Sequence, residues 1–241
     1  MKRVTVYQCA FVIGTLLLSS CSSKPKNGGV NSQANDQIVA STPPFQTKEP
    51  QHYQAVRTIK FIDASGSVIT RKTTIARSEI FRRDEIETSD SGTIVFLELD
   101  NGRFVLVPGA KIYSEITDAS GIDPTEFESS PDRLLHPDSL STTYQKLGTD
   151  IVSGRKTTKY RVAVNTSPAT NVTASDTLIW IDESLGMPVK SETTASDGSH
   201  MVMELSNIIL DVDKNLFHIP EDYVKVSPAA LRQHLSQKPV R

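Results

Sequence analysis

Cys21, five histidines and an acidic run near the C-terminus are the residues of this 241-residue chain whose side chains could do chemistry. A cysteine can act as a nucleophile, a histidine as a base or ligand, and an aspartate run as a cation cage. The spacings remove most of this. His52, His136, His200, His218 and His234 are scattered, with no HExxH pattern and no cysteine partners, so no metal is expected. DVDKN, from Asp211 to Asn215, opens like a calcium loop. Leu216 then fills the sixth position, which demands Gly, and Asp222 replaces the bidentate Glu at the twelfth. There is no GxSxG nucleophile turn and no GxxxxGK or GxGxxG loop to cradle phosphate. The expectation is a protein that is not an enzyme and carries no metal and no cofactor. A Ser-His-Asp cluster assembled only in space is the catalytic arrangement left open.

Cys21 is informative through its position. Lys2 and Arg3 precede an apolar run from Ala10 to Leu18, and Ser19 and Ser20 close it. A positive start, an apolar middle and small residues are the plan of a secretory signal peptide, and the run is well short of the roughly 20 residues a membrane-spanning helix needs. Residues 1–20 are read as that leader. Leu18, Ser19, Ser20 and Cys21 resemble the lipobox of bacterial lipoproteins. The resemblance implies cleavage before Cys21, diacylation of its sulfur and a third chain on the new amino terminus, so Cys21 is the expected lipid attachment site and its covalent lipid the one added group. Each buried methylene is worth ~0.8 kcal/mol, and two or more chains hold a protein stably at a membrane. Ser22 stands where, in that family, an aspartate would favour inner-membrane retention. The resemblance therefore implies an outer-membrane lipoprotein facing the periplasm.

The formal charge is −2, and loss of Lys2 and Arg3 with the leader leaves about −4 by the same count. Nucleic acid, which calls for a basic patch or a high pI, is not an expected partner. With Cys9 in the leader and Cys21 acylated, no cysteine pair remains for a disulfide, so the core must hold the fold. Residues 21–51 are rich in Ser, Asn, Gln, Pro and Gly without apolar periodicity, and are read as a disordered tether. As a random coil of nearly 30 residues it would reach on the order of 30 Å. Val30, Ile38, Val39 and Phe45 are the points at which it could dock on the domain.

Residues 52–227 are read as one domain and 228–241 as a tail or short helix. Gln54 to Ile62 and the run SVITRKTTIAR flank a turn cluster at Asp63 to Gly66. TIVFLEL (Thr93 to Leu99) and RFVLV (Arg103 to Val107) flank Asp100, Asn101 and Gly102, where Asn-Gly is a hairpin signal because both central positions of such a turn need positive φ. Pro124, Pro131 and Pro137 break the middle segment, where one or two short helices are expected. Further strands follow to Ile208, joined at Gly154 and Gly198. Short regular strands with Gly-containing turns argue for one large antiparallel sheet or an incomplete barrel. The basic positions Arg71, Lys72, Arg77, Arg82 and Arg83 are read as the solvated face of a strand and its turn, with contact to lipid headgroups as the functional alternative.

TIVFLEL, RFVLV and LIWI (Leu178 to Ile181) are apolar at consecutive positions, so both faces of those strands need cover. Two-sided packing in a sandwich or closed barrel is one account. A cavity for an acyl chain is the other, with Phe96, Phe104, Trp180, Met201 and Met203 as its candidate lining.

The segments GRKTTKYRV, TLIWIDESLGMPVKSE, MELSNI and LFHIPEDYVKV resemble the C-terminal part of the lipoprotein-carrier superfamily, the LolA/LolB-like fold. The shared features are Trp180, Ile181 and Asp182 ending a strand, the turn Leu185, Gly186, Met187, Pro188, and the closing Phe217, Ile219, Pro220 and Tyr223. The resemblance implies a mainly β, α+β fold: an antiparallel open half-barrel with short helices covering its concave face. It also implies a hydrophobic ligand, such as an acyl chain, a lipid or the lipid moiety of an acylated protein, and a part in lipid or lipoprotein transport or localisation. A non-enzymatic interaction or sensor module with a filled core is the alternative, and an envelope hydrolase the third reading.

Overall fold

Residues 39–45, 48–88, 92–117, 141–165 and 176–236 are described by the computed structural model of the chain. The leader, Cys21, most of the tether, the segment 118–140 with its expected helices, and the loop 166–175 lie outside the described residues.

Thirteen strands make one sheet: β1 (Val39–Ala40), β2 (His52–Ile62), β3 (Val68–Ser78), β4 (Phe81–Thr88), β5 (Gly92–Leu99), β6 (Gly102–Val107), β7 (Ile112–Glu115), β8 (Ser141–Val152), β9 (Arg155–Asn165), β10 (Asp176–Asp182), β11 (Met187–Thr194), β12 (His200–Ile209) and β13 (Val224–Lys225). Their spatial order is β1-β8-β9-β10-β11-β12-β2-β3-β4-β5-β6-β7-β13. Two meanders, β2 to β7 and β8 to β12, are thus joined where β12 pairs with β2. Every pairing is antiparallel except β13 on β7. The end strands β1 and β13 do not pair with each other, so the sheet is open. Mainly β, antiparallel and open is therefore what is found. Among the described residues the expected covering helices reduce to one α-helix, α1 (Pro228–Ser236).

The turns follow residue chemistry with one exception. In the β2–β3 turn, the Asp63 carboxylate accepts from the Ser65 and Ser67 amides at 2.9 Å each, and Gly66 takes φ +85°. The pair with positive φ at both central positions is Ser153-Gly154, at +46° and +79° between β8 and β9. The Asn-Gly signal is corrected: Asp100 and Asn101 form the β5–β6 turn without positive φ, and Gly102 (+148°) opens β6.

Residues paired across strands share a face. One face carries Tyr53, Ile75, Asp84, Phe96 and Val105; the other carries Thr58, Lys72, Glu204, Lys190 and Trp180. These are the Tyr53 face and the Trp180 face. At the β5–β7 end both are covered by the chain itself. Leu231 of α1 packs fully buried against Val105, Val107 and Ile116 on the Tyr53 face. On the Trp180 face, Phe217, Ile219 and Tyr223 pack against Val95, Leu97, Phe104 and Leu106. The consecutive apolar residues of β5 and β6 are thereby explained, and two-sided packing, not a cavity, is the account that holds there. Burying each such side chain contributes about 1.5–3 kcal/mol.

Part of the segment read as tether docks on the domain. Val39 and Ala40 pair with Gln145 and Tyr144 as an edge strand. The Phe45 ring packs on Tyr144 and Tyr160 at centroid distances of 5.7 and 4.7 Å. The Lys48 amide donates to the Gly186 carbonyl at 2.6 Å, and Glu49 is buried. These residues form a strap on the domain, for which Phe45 and Glu49 provide the apolar and ionic anchors. Gly186 accommodates it: its φ is +67°, and a Cβ there would sit 3.3 Å from the Lys48 carbonyl oxygen.

Candidate functional site

Register divides the five residues expected to line one cavity. Phe96, Met201 and Met203 lie on the Tyr53 face; Phe104 and Trp180 lie on the opposite one. Phe96 packs near α1 and Phe104 beneath Phe217, Ile219 and Tyr223. Trp180 is 2% exposed. The Lys159 and Lys190 ammonium groups each stand 4.5 Å from its ring centroid, and its indole N–H donates to Asp150 at 3.0 Å. That hydrogen bond is the first cause holding the Asp150 carboxyl below its ordinary pKa. Trp180 is thus a capped structural residue. Beside it on this face, a polar depression of about 430 Å³ is lined by Thr58, Lys60, Thr70, Lys72, Val202, Glu204 and Ser206.

Met203 and Met201 belong to a different setting. Across the strands of the Tyr53 face runs the row Tyr160, Ile179, Ser191, Met203, Ile59, Arg71. The next row outward is Thr193, Met201, Phe61, Ile69, with Phe61 41% and Ile69 66% exposed. An apolar strip therefore leads from buried Leu205 and Met203 to the open end of the β2–β3 hairpin. Within it the Ser191 hydroxyl is 1% exposed and has no hydrogen-bond partner. An unsatisfied buried hydroxyl costs about 1–3 kcal/mol.

The other end of this face is ionic. Tyr53, Arg77, Arg82 and Glu98 form a cross-strand row on β2 to β5. Glu49 of the strap sits over it, accepting from Tyr53 Oη at 2.6 Å, from Arg77 Nη1 at 2.8 Å and from Arg82 Nη1 at 3.0 Å, with a second contact from Arg82 Nη2. Burial, then the Glu49 charge and hydrogen bond, push the Tyr53 hydroxyl well above its ordinary pKa. One row inward, Asp84 lies between Ile75 and Phe96. Burial pushes its carboxyl up to about 6, against the pull of Arg57 and Arg82. Arg77 and Arg82, read from the sequence as a solvated face, are instead in contact with a buried carboxylate. The available signal was parity: Tyr53, Ala55, Arg57 and Ile59 alternate in step, which places Arg57 on the inward face. Glu49 carried no such signal, because its partners lie 4, 28 and 33 residues away.

Among the described residues, no group of three His, Cys, Asp or Glu could hold a metal ion, and no helix is long and apolar enough to cross a membrane.

No protein-family model matches the chain, and no curated protein matches it in sequence. Solved structures do. MucB is similar at 12% identity and TM-score 0.42, over 71% of this chain and 58% of that one, so this chain spans less than two thirds of MucB. The lipoprotein LppX of Mycobacterium tuberculosis is similar at 14% identity and TM-score 0.40, over 67% of this chain and 88% of that one. A LolA superfamily protein from Nitrosomonas europaea, NE2245, is similar at 11% identity and TM-score 0.33, over 71% of this chain and 92% of that one. No residue role passes from these structures to this chain.

Proposed function

We propose that this chain is a lipid-anchored envelope protein that holds a hydrophobic ligand, an acyl chain or lipid moiety, on the Tyr53 face. It acts without catalysis and without a cofactor, and Cys21 anchors it to the outer membrane on the periplasmic side. The observation that carries this reading is the apolar strip from Leu205 and Met203 through Ile59 and Met201 to exposed Phe61 and Ile69, with the unpartnered Ser191 hydroxyl set into it. A flexible thioether pair beside an open apolar end suits a chain that is fluid in shape.

Native mass spectrometry with lipid extraction tests it, on the protein purified from a bacterial envelope. A stoichiometric co-purifying lipid is expected. A clean apo mass that stays apo with added phospholipid or acylated peptide overturns the reading. For the anchor, Cys21→Ser should abolish membrane fractionation; normal processing and unchanged fractionation would count against it. The strap favours a second reading, an interaction module with a filled core, since Phe45 and Glu49 already occupy one end of this face.

A further inference from the structure

The ionic end of the Tyr53 face holds three donors that converge on one carboxylate. That carboxylate comes from the strap, whereas the donors Tyr53, Arg77 and Arg82 sit on adjacent strands, in one register row, regardless of where the strap lies. With Glu49 turned away, two guanidinium groups and a phenol would remain side by side at the rim. Like charges so placed demand an anion. The strap need not leave for this to happen: its main chain is tied by Lys48 N–H to Gly186, by Glu79 N–H to Gln51, and by Arg77 to the Glu49 and Pro50 carbonyls. Only the Glu49 side chain has to swing. Arg77 and Arg82 keep 22% and 36% of their side-chain surface exposed, against 6% for Glu49, so the two guanidinium groups can be reached from solvent at the rim, whereas Tyr53 is 1% exposed and is reached only from the place Glu49 fills.

We infer that Tyr53, Arg77 and Arg82 form an oxyanion site for the charged head of an acyl-chain ligand, carboxylate or phosphate, and that Glu49 is its tenant in the empty protein. This rests on the hydrophobic-ligand reading and specifies its polar end. The head and tail sites lie on one face at opposite ends. Along β3 from Arg77 to Ile69 the separation is about 26 Å at ~3.3 Å per residue, longer than an extended twelve-carbon chain. A dodecyl probe held at the arginines would therefore lie over Ile75 and stop short of Phe61 and Ile69. Arg57, Thr73 and Arg71 share the face with Ile75, Ile59 and Met203 between the two ends. Glu98 flanks the donors on β5, in their own row, and Asp84 flanks them one row inward, opposite Ile75; these two carboxyl groups limit the site to a single anionic group.

The test is calorimetric titration of the purified full chain with laurate, dodecyl phosphate and uncharged dodecanol, each below its micellar range. An anionic probe should bind about tenfold more tightly than dodecanol, the size of one charge-assisted contact. Glu49→Gln, which removes the competing charge, should tighten the anionic probe several-fold and leave dodecanol unchanged; Arg82→Gln should erase the preference. Laurate preferred over dodecyl phosphate assigns the head as a carboxylate, and the reverse assigns a phosphate headgroup. Equal binding of all three probes in the wild type and in Glu49→Gln overturns the oxyanion site while leaving the apolar strip in place. No binding of any probe overturns the hydrophobic-ligand reading itself. Should Glu49→Gln fail to fold, the laurate–dodecanol difference in the wild type and its loss in Arg82→Gln decide the matter.

Discussion

The two ends of the sheet meet the same demand in opposite ways. From β5 to β7 both faces are apolar and the chain covers both, with α1 on one side and residues 217–223 on the other. Around β11, β12 and β2, the Trp180 face is charged, while the Tyr53 face runs apolar to an exposed hairpin end and encloses an unpartnered hydroxyl. A covered apolar surface is a core. An apolar surface that leads outward, here to exposed Phe61 and Ile69, is the one we propose for a ligand. Apolar content alone does not separate the two; what lies against it does.

That contrast can be broken experimentally, most forcefully at the closed end. Leu231→Ala should lower stability by about 2–5 kcal/mol, because Leu231 is the fully buried residue of α1, with Leu235 only partly buried beside it, and should leave ligand binding untouched. A melting temperature within a degree of wild type would show that the β5–β7 end is not closed by α1.

Asp84 comes next. Its folded pKa of about 6 lies above its ordinary 3.8, so the folded state holds the proton more tightly than the unfolded chain does. This group's contribution is therefore most favourable below pH 4 and is lost as pH rises through 6, a difference of about 3 kcal/mol. Asp182, Asp63 and Asp150 are shifted down and act in the opposite sense, losing their contribution as pH falls through their folded values. Denaturant melts of wild type and Asp84→Asn between pH 4 and 7 isolate the difference: the variant should lack the fall that the wild type shows. Parallel curves would mean that Asp84 is solvated or fully neutralised by Arg57 and Arg82.

Ser191→Ala sharpens the comparison from the open side. Removing an unsatisfied buried hydroxyl should raise the stability of the ligand-free protein by about 1 kcal/mol and weaken any ligand that bonds to it. A clear loss of stability without ligand would show that the hydroxyl already has a partner. Smallest of all, Phe61→Ser should change stability by less than about 0.5 kcal/mol, as surface substitutions do, yet reduce lipid retention; a large unfolding effect would place Phe61 in the core.

The fold was legible wherever local chemistry decides it. Asp63 and Gly66, Ser153-Gly154 and Gly198 mark turns that the structure keeps, and the Pro-led segment at 228 does form a helix. The Asn-Gly turn shows the limit: which residues occupy the centre depends on β5–β6 register, and that depends on packing against Phe217 and α1. Of the candidate site, Phe96, Phe104, Trp180, Met201 and Met203 read as one lining because consecutive apolar residues do not reveal which face each side chain takes; register divides them between the two faces. The ionic end was illegible for another reason. Its central carboxylate sits in a polar, proline-bearing segment that composition alone assigns to tether, and its partners become neighbours only after three strands have aligned.

An open sheet has two edges, and each is an invitation for another extended chain to add itself. Here both are finished by strands of two residues, Val39–Ala40 and Val224–Lys225. Beyond the first of these, β8 is interrupted by the bulge at Lys146 and Gly148. The bulge shortens the unbroken ladder that β8 presents beyond β1.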